Sequence, residues 1–425
     1  MERVSAEQIA AIEQDLAHTA VSRFGLDLRC LLFDATNFFT FLDSFNLRAQ
    51  LPQRGHGKQG RDNLRLLGLA VLVTADGEVP LFHHTYAGNQ HDSVTFRSVA
   101  EQLFARCRAF SQEVRQITLV FDKGNNSEEN LELVDHSRLH FVGSLVPTQH
   151  PDLLAIPREA MRRLDRAQLP AVWAYRTKKL LFGLQRTVVV TFNQKLFRAQ
   201  TKTLSREIHK RERKLEKLQS SLRRRRLADR GKKPTVAGVE KKVKEILRGR
   251  HMADLFTTEV GKTRQGLPRL RFQFRPGAYQ KLRSTLLGKT ILFTDHGEDW
   301  SDEQIVLAYR AQHHVEADFC RLKNPQYLSF RPTFHWTDQK LRVHAFYCVL
   351  ALMMLNLLRR QLAQAGIAVS VVEMMNQLTN IQEVTLLYPA PQRSQEPLAC
   401  TVLSEMNKRQ EQMVATLGLE RFRSN

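Results

Sequence analysis

The chain has 425 residues, enough for two or three domains, and its 42% hydrophobic and 25% charged residues are those of an ordinary globular protein. Its charge is less ordinary: 64 Lys and Arg against 43 Asp and Glu leave a formal +21, which points to a polyanionic partner, nucleic acid ahead of an anionic membrane surface. Five cysteines, odd in number and never in C-x-x-C spacing, argue against a disulfide framework or a thiolate zinc site and fit a reduced, cytoplasmic chain.

In chain order, MERVSAEQIAAIEQDLA has early charges and no apolar core, so it is not read as a signal peptide. Ile9, Ile12 and Leu16 give residues 5–23 an amphipathic helical face. An apolar run from Cys30 ends in Asp34, the pattern of a strand covered on both faces. Residues 50–62 form a basic, Gly-rich loop suited to a DNA backbone contact. Gly55-x4-Gly60 within it is not a phosphate loop, because Arg61-Asp62 replaces the required Lys and Ser or Thr. Residues 66–74 and 78–86 read as a hairpin turning at Ala75-Asp76-Gly77, and a helix capped by Asp92 or Ser93 follows to about 109. A second apolar run, 117–122, ends in Asp122; a helix over 127–135 and a strand over 140–146 come next. This order predicts an α/β protein with a mixed sheet flanked by helices.

From 148 to 290 the character changes. Short strands at 172–175 and 187–191 precede a tract, 201–250, with 19 Lys and Arg against 6 Asp and Glu. Leu204, Ile208, Leu215, Leu218 and Leu222 give it one narrow apolar seam, so it reads as helices whose outer face meets phosphates, with Arg223, Arg224, Arg225 and Arg226 its densest cluster. Residues 269–274 and 290–294 read as strands returning to the first sheet. The longest apolar run, 343–358, is 16 residues long and contains His344 and Asn356, which suits a buried helix better than a membrane span. The tail beyond 370 holds two weak helices and a strand near 383–387.

Residues 301–323 open with Ser301-x-x-Gln304, a capping box, and hold no Gly or Pro, so they predict a single helix. At 100° per residue, Tyr309, Gln312, Glu316 and Lys323 share an arc of about 60°, and Asp318 points the other way. Asp34 and Asp122 each end an apolar run, where an unpaired carboxylate is costly. Together with Glu316 they read as a shared site for Mg²⁺ or Mn²⁺, hard cations that prefer oxygen ligands. Two such ions clamp the attacking and leaving oxygens of an in-line phosphoryl displacement. Of His313 and His314, adjacent on a helix, at most one can face that site.

Tyr309-x2-Gln312-x3-Glu316-x6-Lys323 resembles the Tyr-x2-Arg-x3-Glu-x6-Lys signature of DDE transposases from bacterial insertion sequences, with Gln312 in place of the arginine. Asp34 in FDAT, the DGEVPL turn, GNQHD, and Asp122 in FDKG resemble that family's earlier blocks, and the likeness spans about residues 28–365. The resemblance implies a ribonuclease-H-like core over 28–147 and 290–365, interrupted by an insertion domain over 148–289, with an N-terminal helix in 1–27 and a helical tail over 366–425. It implies Asp34, Asp122 and Glu316 as the catalytic, metal-binding triad for two Mg²⁺ or Mn²⁺ ions. Lys323, Tyr309 and the Gln312 position would be DNA contacts. The activity implied is cleavage of double-stranded DNA at an element's ends and strand transfer, by a homodimer on DNA. The 33 residues before Asp34 predict a shortened copy. A nuclease on the same core and a DNA-binding remnant without catalysis remain alternatives.

Overall fold

A computed structural model of the chain describes residues 3–43, 45–55, 64–110, 116–226, 234–264, 266–325, 327–331, 333–388 and 398–422. Helix α1 (Ala6–Phe24) starts at a Ser5–Gln8 capping box and stops at Gly25, whose φ of 58° suits a residue without Cβ. Strand β1 (Cys30–Thr40) pairs antiparallel with β2 (Arg65–Thr74), and β2 with β3 (Pro80–Ala87). After α2 (Asp92–Phe110), β4 (Thr118–Val120) lies parallel to β1. After α3 (Glu128–Ser137), capped by Ser127, β5 (His140–Ser144) lies parallel to β4. Three antiparallel strands followed by two parallel to the first form the ribonuclease-H-like arrangement that the resemblance implied.

The hairpin of β6 (Val172–Leu181) and β7 (Leu184–Asn193) leads into the 33-residue helix α4 (Gln194–Arg226) and then α5 (Val236–Ile246). A separate two-stranded sheet, β8 (Phe256–Lys262) with β9 (Pro268–Phe274), and α6 (Pro276–Thr285) follow. Strand β10 (Lys289–Thr294) then enters the central sheet between β5 and β7, giving the order β3-β2-β1-β4-β5-β10-β7-β6. Helices α7 (Asp302–Arg310), α8 (His313–Lys323) and α9 (Asp338–Gln364) come next. The tail comprises α10 (Val371–Thr379), the hairpin β11 (Glu383–Tyr388)–β12 (Leu398–Leu403) and α11 (Lys408–Leu417).

Strand periodicity sorts the two faces. Leu31, Phe33 and Ala35 of β1 pack with residues of α1, α2 and α3, whereas Leu32 and Phe38 pack with α7, α8 and α9. Helix α9 contains the apolar run and is long and apolar enough to cross a membrane, but Leu341, Ala345, Val349 and Leu352 are buried in that second core. The seam of α4 is buried as expected: Leu204, Ile208, Leu215 and Leu222 join Val239, Val243, Phe256 and Leu270 in a separate small core.

Four expectations change. Asp34 lies inside β1, which continues six residues beyond it because ten consecutive residues pair with β2. Residues 269–274 do not return to the central sheet; they pair with β8 over the small core. Conversely, β6 and β7 extend the central sheet through β10, so strands on both sides of position 148 share it. The helix over 301–323 is broken at Ala311–Gln312, where the N–H groups of Gln312 and His314 bond three residues back, to Tyr309 and Ala311. Most of the Gly-rich loop, 56–63, lies outside the described residues, as does the side chain of Asp92.

Candidate active site

Register builds the site. Leu32 of β1 pairs with Val120 of β4, and Val120 with Val142 of β5; all three face the α7–α9 side. Two residues further along each path come Asp34, Asp122 and Ser144, returned to the same face by the period of two. With neighbouring strands about 4.8 Å apart, the two carboxylates and the hydroxyl form a row across the sheet. Strand β4 stops just before Asp122, where a short 3-10 turn, Lys123–Asn125, leads the chain away and leaves Asp122 half-buried at its mouth.

The Ser144 hydroxyl donates to Asp122 Oδ1 at 3.1 Å. The Tyr309 hydroxyl, from the last turn of α7, lies 2.9 Å from Ser144 Oγ and 3.2 Å from the same Oδ1. A phenol has one proton, and a relay from Tyr309 to Ser144 to Asp122 uses each hydroxyl proton once. Burial pushes the Tyr309 phenol well above its ordinary range, and the charges of Asp122 and Glu316 push it further, so it remains a donor. Both carboxylates therefore act on one phenol.

Helix α8 lies along β1. Lys323 Nζ donates to Thr36 Oγ1 at 2.7 Å and sits 5.4 Å from the Phe38 ring centre, two and four residues beyond Asp34 on the same strand face. Asp34 Oδ1 accepts the N–H of Ala35 at 2.8 Å. Glu316 is exposed, on the side of α8 away from buried Asp318. Among the described residues, no three His, Cys, Asp or Glu side chains gather as a bound metal requires. Register sets Asp34 beside Asp122, and with Glu316 they do not form such a group. The pair still suits Mg²⁺, which is often held by one or two carboxylates together with water and substrate phosphates.

Gln312 sits in the turn between α7 and α8, and its Nε2 is buried without a hydrogen-bond partner. His313 Nδ1 faces the Arg310 carbonyl at 2.7 Å, and His314 turns to Glu78. Arg223 is exposed near the end of α4; the side chains of Arg224, Arg225 and Arg226 lie outside the described residues.

A buried network fixes α8. Glu78 leaves the β2–β3 turn with φ 62°, directly after Gly77 at 87°, a conformation that costs a residue with a side chain. Its carboxylate meets His314 Nδ1 at 2.6 Å and Arg359 Nη2 at 2.9 Å, and also Arg321. Asn356 Nδ2 donates to the Glu78 carbonyl at 2.6 Å and to Asp318 Oδ1 at 3.0 Å. Burial pushes Asp318 up to about 7 although Asn356 and Arg321 oppose it. His314, Asp318 and Arg321 recur at helical spacing, so the network sets the roll of α8 and with it the outward direction of Glu316.

No family model and no curated protein matches the chain. Among solved structures it is similar to a piggyBac transposase in a synaptic complex with hairpin DNA, at 9% identity and a TM-score of 0.38, over 86% of this chain and 57% of that one. It is also similar to Mos1 transposase in a paired-end complex with the left transposon end, at 11% identity and a TM-score of 0.19, over 36% of this chain and 46% of that one. The chain thus spans 57% of the length of the piggyBac chain that it matches.

Ser144, Thr36 and Glu78 were missed by sequence reasoning. Ser144 and Thr36 carried a weak signal, since each lies an even number of residues from an apolar strand position. Glu78 carried none beyond the turn, because its partners lie 236 and more residues away.

Proposed function

We propose that this chain is a metal-dependent transposase that cleaves double-stranded DNA at the ends of an insertion sequence and joins the freed strand to a target. The observation that carries the reading is the register that sets Asp34 beside Asp122 on the face over which α8 bears Glu316. Asp34 and Asp122 would hold Mg²⁺ or Mn²⁺, with Glu316 as a third ligand from α8. When bound, such ions supply Lewis-acid activation and charge neutralisation for phosphoryl transfer. The chain's own residues orient and bind. Ser144 holds Asp122 Oδ1 and Tyr309 holds Ser144, and Lys323 keeps an ammonium along β1, where a backbone phosphate would approach. The +21 charge suits a DNA partner, and holding two ends at once calls for two copies of the chain.

The test uses a plasmid carrying the DNA that flanks the gene on both sides, incubated with protein and Mg²⁺ or Mn²⁺. Nicking and joined products are expected. Asp34→Asn, Asp122→Asn and Glu316→Gln should each abolish them while duplex affinity stays within about twofold of the parent. Undiminished nicking by all three variants would sink the assignment.

A DNA-binding remnant is the second reading. It is favoured by the unclosed triad and by the unpartnered Gln312 amide where the resembling family has arginine. It predicts salt-sensitive DNA binding and no metal-dependent turnover in the parent. Cleavage without joining would instead assign a nuclease.

A further inference from the structure

Asp122 does not use the partner that its own place in the chain offers. It stands immediately before the turn Lys123–Asn125 in extended backbone, with φ −84° and ψ 163°. From that position an aspartate ordinarily folds its carboxylate onto the N–H two or three residues ahead. Here the side chain makes no such bond, and the Gly124 N–H has no hydrogen-bond partner among the described residues. The Asn125 N–H goes to the Asp122 carbonyl at 3.0 Å, so backbone alone closes the turn. A free donor two residues away competes for the carboxylate, and something outweighs it.

Two hydroxyls do so. Ser144 Oγ donates to Asp122 Oδ1 at 3.1 Å, and the Tyr309 hydroxyl, which donates to Ser144 Oγ, also stands 3.2 Å from that oxygen. Bonds to a carboxylate are charge-assisted whether the donor is a hydroxyl or a backbone N–H, so satisfying Asp122 does not by itself require these two residues. What they add is direction. Ser144 is buried in β5, paired with Leu292 of β10, and its carbonyl accepts Asn126 Nδ2 at 2.8 Å, which ties the exit of the turn to the same residue. Tyr309 comes from the last turn of α7, just ahead of the break that leads into α8. With Oδ1 held in this way, Oδ2 accepts no hydrogen bond from the described residues and reaches solvent.

We propose that Ser144 and Tyr309 are positioning residues that keep the Asp122 carboxylate off its own turn and leave Oδ2 free for a divalent cation. Tyr309 then acts on the acid and not on DNA. Either hydroxyl lies near enough to Oδ1 to replace the other, so the two back each other up. The proposal rests on the metal reading above for the identity of the ligand; the direction of the carboxylate does not depend on it.

The experiment uses the full chain without DNA. Ser144→Ala, Tyr309→Phe and the double variant are compared with the parent by Mn²⁺ titration, with free Mn²⁺ read from its electron paramagnetic resonance signal. Each single variant should weaken Mn²⁺ binding about two- to threefold and the double variant about tenfold or more, with melting temperatures in EDTA close to the parent's. Crystals of the double variant grown in EDTA should show the Asp122 carboxylate turned toward the Gly124 N–H, and parent crystals should show it on Ser144. A carboxylate that stays in place in the double variant would overturn the proposal. So would lowered melting temperatures with Mn²⁺ affinity unchanged, which would leave the hydroxyls a purely structural part. A parent that binds no Mn²⁺ would end the metal reading of the site, while the crystals would still decide what directs Asp122.

Discussion

At the scale of single residues, Glu78 is the side chain that most constrains the candidate site without touching it. Burial opposes its charge, but hydrogen bonds from His314 and Arg321 and the charges of Arg321 and Arg359 outweigh burial and hold Glu78 at about 2, below its ordinary 4.5. A carboxyl whose pKa is lower in the folded chain stabilises the fold above its unfolded value, and the contribution disappears as pH falls toward the folded value. Glu78→Gln should therefore destabilise the chain by about 3 kcal/mol near neutral pH, since it leaves the half-buried guanidinium groups of Arg321 and Arg359 without their counter-charge. The gap between parent and variant should narrow as pH falls from about 4.5 to about 2. Urea unfolding midpoints across that range would check it; a gap independent of pH would mean that the carboxylate charge contributes nothing. Glu78 was not legible in the sequence because its value depends on partners on two distant helices. Asp34 and Asp122 were legible for the opposite reason: an acid after a local apolar run is conspicuous on its own.

Among elements, periodicity decided what could be read. The alternation in β1 and the seam of α4 are local patterns, and both faces formed as the residues dictate. The end of β1 was misplaced because it is set by pairing with β2, a contact between segments separated in sequence. The break at Ala311–Gln312 was equally hidden: neither residue is a helix breaker, and both keep right-handed helical angles while the bonding tightens. One element-level constraint is testable at the close of β3. A Cβ on Gly88 would lie 1.9 Å from the Leu66 carbonyl oxygen, and the Gly88 N–H bonds the Leu51 carbonyl at 3.1 Å. The obstacle is the backbone of β2, so no side-chain rotation relieves it. At Gly68 the obstacle is the Tyr86 ring, at 2.3 Å, a side chain and not backbone. Gly88→Ala should cost about 3 kcal/mol and exceed the cost of Gly68→Ala. Thermal unfolding of the two variants side by side measures the order, and the reverse order would mean that β2 yields more easily than the ring.

For the whole molecule, the question is how +21 is distributed. Helix α4 turns its apolar seam inward, and at 100° per residue the opposite face carries Lys195, Lys202, Arg206, Lys210, Arg213 and Lys217 within about 40° of one line. All six are exposed. Lys195 to Lys217 covers about 33 Å of helix, close to one turn of B-form DNA at roughly 34 Å. Arg223 lies about 100° from that line. A rod held by its seam and charged along its outer face fits the phosphate backbone, which supplies affinity without reading sequence. Each neutralised phosphate contributes about −0.9 to the slope of log K against log salt. Replacing Arg206, Lys210, Arg213 and Lys217 together by Gln, a helix-forming neutral residue, should make that slope shallower by about 3 to 4 for any duplex sequence. Equilibrium titrations at a series of salt concentrations give the number directly. An unchanged slope would move the phosphate contacts off α4, and a loss confined to one sequence would mean that these side chains reach base edges instead of the backbone.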